Sequence, residues 1–150
     1  MSSEKLNEVL KFAIENELAA AEFYRDMQSK VKIQASKVML KEFEQMELGH
    51  ADILKNLDLH KIENYNPPKI SNLKLSDYMV EPTIQDELSY QDVLVIAMKR
   101  EEAATKMYND LAAQAENTIV KNMFLKLAAE EARHKLQLET IYDEEINYEF

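Results

Sequence analysis

Apolar positions recur every three or four residues in four long stretches of the chain, a period that predicts helices. The first runs from about Ser3 to Lys30, with Leu6, Leu10, Ala13, Ala20, Met27 and Val31 on one stripe and Glu17 and Tyr24 set into it. The second runs from about Ala35 to Leu59, through Met39, Phe43, Met46/Glu47, His50, Ile53/Leu54 and Leu57. The third spans about 86–115 and carries Val93/Leu94, Ala97, Glu101, Ala104, Tyr108 and Leu111. Near its start, Ser89-x-x-Asp92 has the spacing of a capping box. The fourth runs from about Thr118 to Tyr142, through Phe124, Leu127/Ala128, Glu131, His134, Leu138 and Ile141. No alternating pattern of useful length competes for a strand.

Between the second and third stretches, residues 60–85 differ in kind. They hold all three prolines, Pro67, Pro68 and Pro82, together with Asn64, Asn66, Ser71, Asn72 and Ser76. The other connections are only a few residues, so helices one and two should run antiparallel, as should three and four. A helix of about 27 residues is roughly 40 Å long, and about 26 extended residues can span that distance. The expected fold is therefore an all-α four-helix bundle with one long crossover between helices two and three. Helix three then runs opposite to helix one. If the crossover instead hands helices three and four to a second chain, the product is a swapped dimer.

A repeat lies inside this pattern, at an offset of 84 residues (17 to 101). Glu17 pairs with Glu101, Tyr24 with Tyr108, Glu47 with Glu131 and His50 with His134. Two helices thus each give one Glu, and the other two each give a Glu-x-x-His. Helical bundles hold two metal ions with this ligand set. The candidate ligands are Glu17, Glu47, His50, Glu101, Glu131 and His134. A buried ionised carboxylate must be paired, protonated or metal-bound. No Lys or Arg lies on these stripes near the four Glu positions. Two divalent ions would match four carboxylates with both imidazoles neutral. Mixed carboxylate and imidazole donors favour iron or manganese over a closed zinc site. Tyr24 and Tyr108 stand two turns after Glu17 and Glu101, close enough to hydrogen-bond a ligand carboxylate or simply to fill core. Glu15, Glu22, Glu42, Glu44, Glu102 and Glu130 fall off the stripes and read as a solvated face. His60 reads as an exposed residue at a helix end, and Met39, Met46, Met98, Met107 and Met123 read as core filler.

Composition narrows the function further. The 150 residues carry a formal net charge of -10, with 1 Gly, 3 Pro and no Cys. One domain with a sizeable core fits that length. The missing thiols exclude cysteine nucleophiles, disulfides and thiolate metal sites. The acidic balance argues against nucleic acid and anionic membranes. There is neither an apolar leader nor a run long enough to span a bilayer, so a cytoplasmic protein is expected.

The set Glu17, Glu47/His50, Glu101 and Glu131/His134, with Tyr24 and Tyr108, resembles the rubrerythrin branch of the ferritin-like superfamily. The segments ENELAAAEFY, ELGH, KREEAATKMY and EARH carry the resemblance across all four helices. It implies a non-haem centre of two iron ions, with manganese or a mixed pair as alternatives. It also implies reduction of hydrogen peroxide or oxygen with electrons from a rubredoxin or similar carrier. Family members commonly carry a Cys-rich rubredoxin domain after the bundle. This sequence ends at Phe150 without any Cys, so the expected donor is a separate protein; the expected assembly is a homodimer, helix-swapped if the crossover leads to a second chain. Peroxidase members have a further Glu about one turn after the position of Glu101. Here Ala104 and Thr105 stand there, which brings the site closer to ferroxidase-type or oxygen-reacting relatives. Iron handling and a metal-free structural bundle are the competing expectations.

Overall fold

A computed structural model of the protein describes residues 2–57 and 89–145, with side chains over 7–57 and 89–144. The expected crossover, with His60 and the three prolines, lies outside the described residues. Four helices are present: α1 Ser2–Gln28, α2 Gln34–Lys55, α3 Tyr90–Gln114 and α4 Thr118–Glu145. Among the described residues there is no strand, and no helix is long and apolar enough to cross a membrane.

Local chemistry sets the helix ends. α1 stops two residues before the expected Lys30, where the Ser29 hydroxyl donates to the Asp26 carbonyl at 2.8 Å and competes with the helical ladder. α2 ends at Lys55, and the Asn56 amide donates back to the carbonyl of Asp52. α3 begins at Tyr90 behind a complete capping box: the Asp92 amide donates to Ser89 Oγ, and the Ser89 amide donates to the Asp92 carboxylate. Asn117 starts α4 by accepting from the amides of Ile119 and Val120. α4 runs past the expected Tyr142, whose hydroxyl accepts from Gln91 at 2.8 Å and ties that turn to the start of α3.

α1 packs along α2 and α3 along α4, much more extensively than across the pairs. Two apolar clusters occupy the two ends of the bundle. One joins Val9, Leu10 and Ala13 of α1, Leu54 of α2, Met107, Tyr108 and Leu111 of α3, and Phe124 and Leu127 of α4. The other joins Phe23, Tyr24 and Met27 of α1, Leu40 and Phe43 of α2, Val93, Leu94 and Ala97 of α3, and Leu138 of α4. The beginning of α1 thus meets the ends of α2 and α3, so α1 runs opposite to both and alongside α4.

The clusters exchange under the same 84-residue offset. Val9, Leu10, Ala13 and Leu54 map onto Val93, Leu94, Ala97 and Leu138. Phe23, Tyr24, Met27, Leu40 and Phe43 map onto Met107, Tyr108, Leu111, Phe124 and Leu127. The repeat is therefore a pseudo-two-fold of the whole core. Each large apolar side chain fully buried there contributes about 1.5–3 kcal/mol. On the α2 stripe Ile53 is 40% exposed and its neighbour Leu54 takes the core place, as Leu40 does beside the partly buried Met39.

Candidate metal centre

Between the two apolar clusters lies a polar layer made of Glu17, Glu47, His50, Glu101, Glu131 and His134. None is more than 3% exposed. Each of the four helices supplies its share because Glu sits mid-stripe in α1 and α3, and Glu-x-x-His places two side chains one turn apart in α2 and α4. Nδ1 of His50 lies 2.8 Å from Glu131 Oε1 and 3.4 Å from Glu17 Oε2. Nδ1 of His134 lies 3.0 Å from Glu47 Oε1 and 3.7 Å from Glu101 Oε2. The donor atoms of Glu17, Glu47, His50 and Glu131 all lie within 4.8 Å of one another, and so do those of Glu47, Glu101, Glu131 and His134. The two groups share Glu47 and Glu131, so these carboxylates lie between the two halves. Glu17 with His50, and Glu101 with His134, stand at opposite ends.

Both tyrosines bind carboxylates, but across the pseudo-two-fold and not along their own helices. Tyr108 donates to Glu17 at 2.5 Å, and Tyr24 donates to Glu101. They are also core residues, with Tyr24 edge-on to Phe43 and Tyr108 stacked on Phe124. The choice between core and carboxylate partner does not arise, because each ring fills the cluster while its hydroxyl reaches the polar layer.

The layer cannot hold four ionised carboxylates unaided. Burial, then the charges of Glu101 and Glu17, pushes Glu47 well above the carboxylate range. Burial, then the charges of Glu101 and Glu47, does the same to Glu131. Burial also raises Glu17, but the close approach of Glu47 and His50, with the charge of His50 and the hydroxyl of Tyr108, outweighs it and leaves this carboxyl lowered. Burial lowers His50, yet Glu17 and Glu130 outweigh that and leave it raised. Burial and the nearby carboxylates push both tyrosines well above the phenol value.

Hydrogen bonding leaves this layer incomplete. Among the described residues Glu17 Oε2, Glu47 Oε1, Glu101 Oε2 and His134 Nδ1 are buried with no hydrogen-bond partner, the 3.0 Å approach of the last to Glu47 being misaligned for one. Buried polar atoms are rarely left so. Here they point into the two donor groups, which is the arrangement that metal ions satisfy. The residues fit two ions, with Glu47 and Glu131 placed to be shared.

Four neighbours of the layer escaped the sequence reading. Glu130, expected on a solvated face, accepts from Nε2 of His50. Its counterpart under the offset, Met46, was expected to fill core. Its Sδ instead lies 3.2 Å from Nε2 of His134. Arg100 and its counterpart Asn16 line a cavity of about 50 Å³ that reaches Glu17, Glu47, Glu101 and Glu131, with Ala20, Ala104 and Met107 on its wall. No Lys or Arg stands on the stripes themselves, but Arg100, one position off its stripe, comes to the cavity that reaches the carboxylates. Arg100 directly precedes Glu101, covers the Phe23 ring at 5.1 Å, and keeps a buried Nε without a hydrogen-bond partner. Burial lowers its pKa from the usual value. Glu44 also leaves the solvated face, accepting from Gln28 at 2.9 Å. The one linear feature that Asn16, Met46, Arg100 and Glu130 share is that each directly precedes a ligand Glu, at 17, 47, 101 or 131.

Residues 92–149 match the family model described as Rubrerythrin. This stretch of the chain is rubrerythrin-like. The match covers α4 and nearly all of α3, and so holds Glu101, Glu131 and His134 together with Tyr108. The rubrerythrin resemblance read from the sequence is borne out over these residues. No curated protein matches the chain. A solved structure of a hypothetical protein from Pyrococcus furiosus is similar over 99% of this chain and 94% of its own, with 26% identity and a TM-score of 0.73. The rubrerythrin match and the buried carboxylate–histidine layer together fit metal binding in a ferritin-like bundle.

Proposed function

We propose that this protein is a di-iron oxidoreductase of rubrerythrin type, which reduces hydrogen peroxide or oxygen with electrons from a separate donor protein. The observation that carries this reading is the pair of buried donor groups sharing Glu47 and Glu131. Bound iron would supply one-electron steps between the ferrous and ferric states. Glu17 and His50 would hold one ion, Glu101 and His134 the other, and Glu47 and Glu131 both. Manganese or a mixed pair suits the same donors. Tyr24 and Tyr108 fix the orientation of the two terminal carboxylates. The cavity beside Ala20 and Ala104 admits only a molecule of a few heavy atoms, which suits peroxide or oxygen. Reduction of one hydrogen peroxide to two waters takes two electrons and two protons. The electrons come from the donor protein, which a cytoplasmic location would provide, and the protons from water.

A second reading is ferroxidase or iron handling. It is favoured by Ala104, which lines the cavity one turn beyond Glu101 and offers no further carboxylate. The two readings separate when protein loaded anaerobically with two ferrous ions per chain is mixed rapidly with peroxide and, separately, with oxygen. Much faster formation of the ferric near-ultraviolet absorbance with peroxide supports the peroxidase. Faster formation with oxygen supports the ferroxidase. Absence of the absorbance with both oxidants overturns the di-iron reading.

A further inference from the structure

The six candidate ligands obey the pseudo-two-fold, but the residues behind the two imidazoles do not. Position 130 is Glu and its counterpart at position 46 is Met. Both side chains reach the outer nitrogen, Nε2, of the histidine from the other half. At His50 the partner is the Glu130 carboxylate, itself 25% exposed. At His134 the partner is the Met46 thioether at 3.2 Å, and Phe43 stacks on the ring with centroids 4.4 Å apart. In both histidines Nδ1 faces the carboxylate layer.

From this asymmetry, and resting on the two-ion reading above, we propose that the two metal positions are unequal and that Glu130 makes the His50 position the tighter one. A carboxylate that accepts the Nε2 proton fixes the tautomer that leaves the Nδ1 lone pair facing the ion, and makes that lone pair more basic. A thioether is a weak acceptor and does neither to a comparable degree. Loss of such a carboxylate behind a ligating histidine typically lowers metal affinity about 10- to 100-fold. The first ion therefore binds with Glu17 and His50, and the second completes the site with Glu101 and His134. Glu130 is a positioning residue that acts through His50.

The test is a zinc titration of metal-free protein labelled with nitrogen-15 in histidine, followed by magnetic resonance of the ring nitrogens. Zinc is redox-inert and diamagnetic, so filling is read without turnover. The first equivalent should shift Nδ1 of His50 and the second Nδ1 of His134. In the exchanged variant Met46→Glu with Glu130→Met, the order should reverse. Glu130→Gln, which keeps the side-chain shape, should lower the affinity of the first step about 10-fold or more. Simultaneous filling of both positions in the native protein overturns the inference while leaving the two-ion reading intact. So does an unchanged order in a folded exchanged variant. Absence of any shift in either histidine at two equivalents overturns the two-ion reading and this inference with it.

Discussion

Metal binding and pH should be coupled with a sign and a size that follow from Glu47 and Glu131. Both are held well above the carboxylate range in the metal-free fold, first by burial and then by neighbouring carboxylates. A Glu in the unfolded chain is ionised above about pH 5.5. The stability that such a raised group contributes is fully present below its unfolded pKa and is lost as pH rises toward its folded value. Two retained protons give a loss of about 2.7 kcal/mol per pH unit in the metal-free protein. His50 is also raised, so its contribution falls in the same direction at the upper end of the window. Glu17 is lowered, so its contribution is lost only as pH falls through its folded value, below this window. With ions bound, the two carboxylates hold no protons and this slope disappears. The stability gap between the metal-loaded and chelated protein should therefore widen by at least about 2.7 kcal/mol per pH unit, and more steeply where the proton of His50 is also released. For a chain of this length that is roughly 5–11 °C in Tm per pH unit. Scanning calorimetry at pH 5.5, 6.5 and 7.5, with saturating zinc and with a chelator, measures it. A gap of constant size would show that Glu47 and Glu131 are already ionised without metal, and would refute the argument.

The remaining predictions concern single features. Glu47→Ala combined with Glu131→Ala removes both shared carboxylates and should abolish binding of two ions; calorimetric titration that still counts two tight ions would sink the ligand assignment. Tyr24→Phe and Tyr108→Phe each leave a buried carboxylate oxygen without its donor and should cost about 1–3 kcal/mol, read from urea midpoints of the metal-free protein. The two losses should be similar because the residues are counterparts, and a cost confined to one would break the symmetry argument. Gly49 lies inside α2, where an added Cβ would meet nothing within 4 Å. Gly49→Ala should therefore raise stability by about 0.5–1 kcal/mol in the same assay. Ser89→Ala removes the α3 cap and should lower thermal stability by about 1 kcal/mol.

Much of this bundle was legible because its period and its repeat are both linear signals. Apolar residues every three or four positions mark helices, and Glu17 or Glu101 stands out as a charge where Leu or Ala would serve. The capping box at Ser89 and Asp92 is equally local. Helix ends were less legible because they turn on competing hydrogen bonds, as at Ser29, or on tertiary anchors, as at Tyr142. Glu130 was misread for a similar reason. Its place beside a stripe predicts solvent, and only the approach of His50 from another helix turns its carboxylate inward.

The sequence by itself determined that four helices form and which residue types stand in the polar layer, because periodicity and an internal offset are properties of one dimension. Tertiary structure alone decided which atoms meet. It carried each tyrosine to the Glu of the opposite half, set Arg100 at the cavity wall, and placed Glu130 behind one histidine and Met46 behind the other. Those are contacts between helices far apart in the chain. They depend on rotation and register between packed elements, which the order of residues along any single helix does not encode.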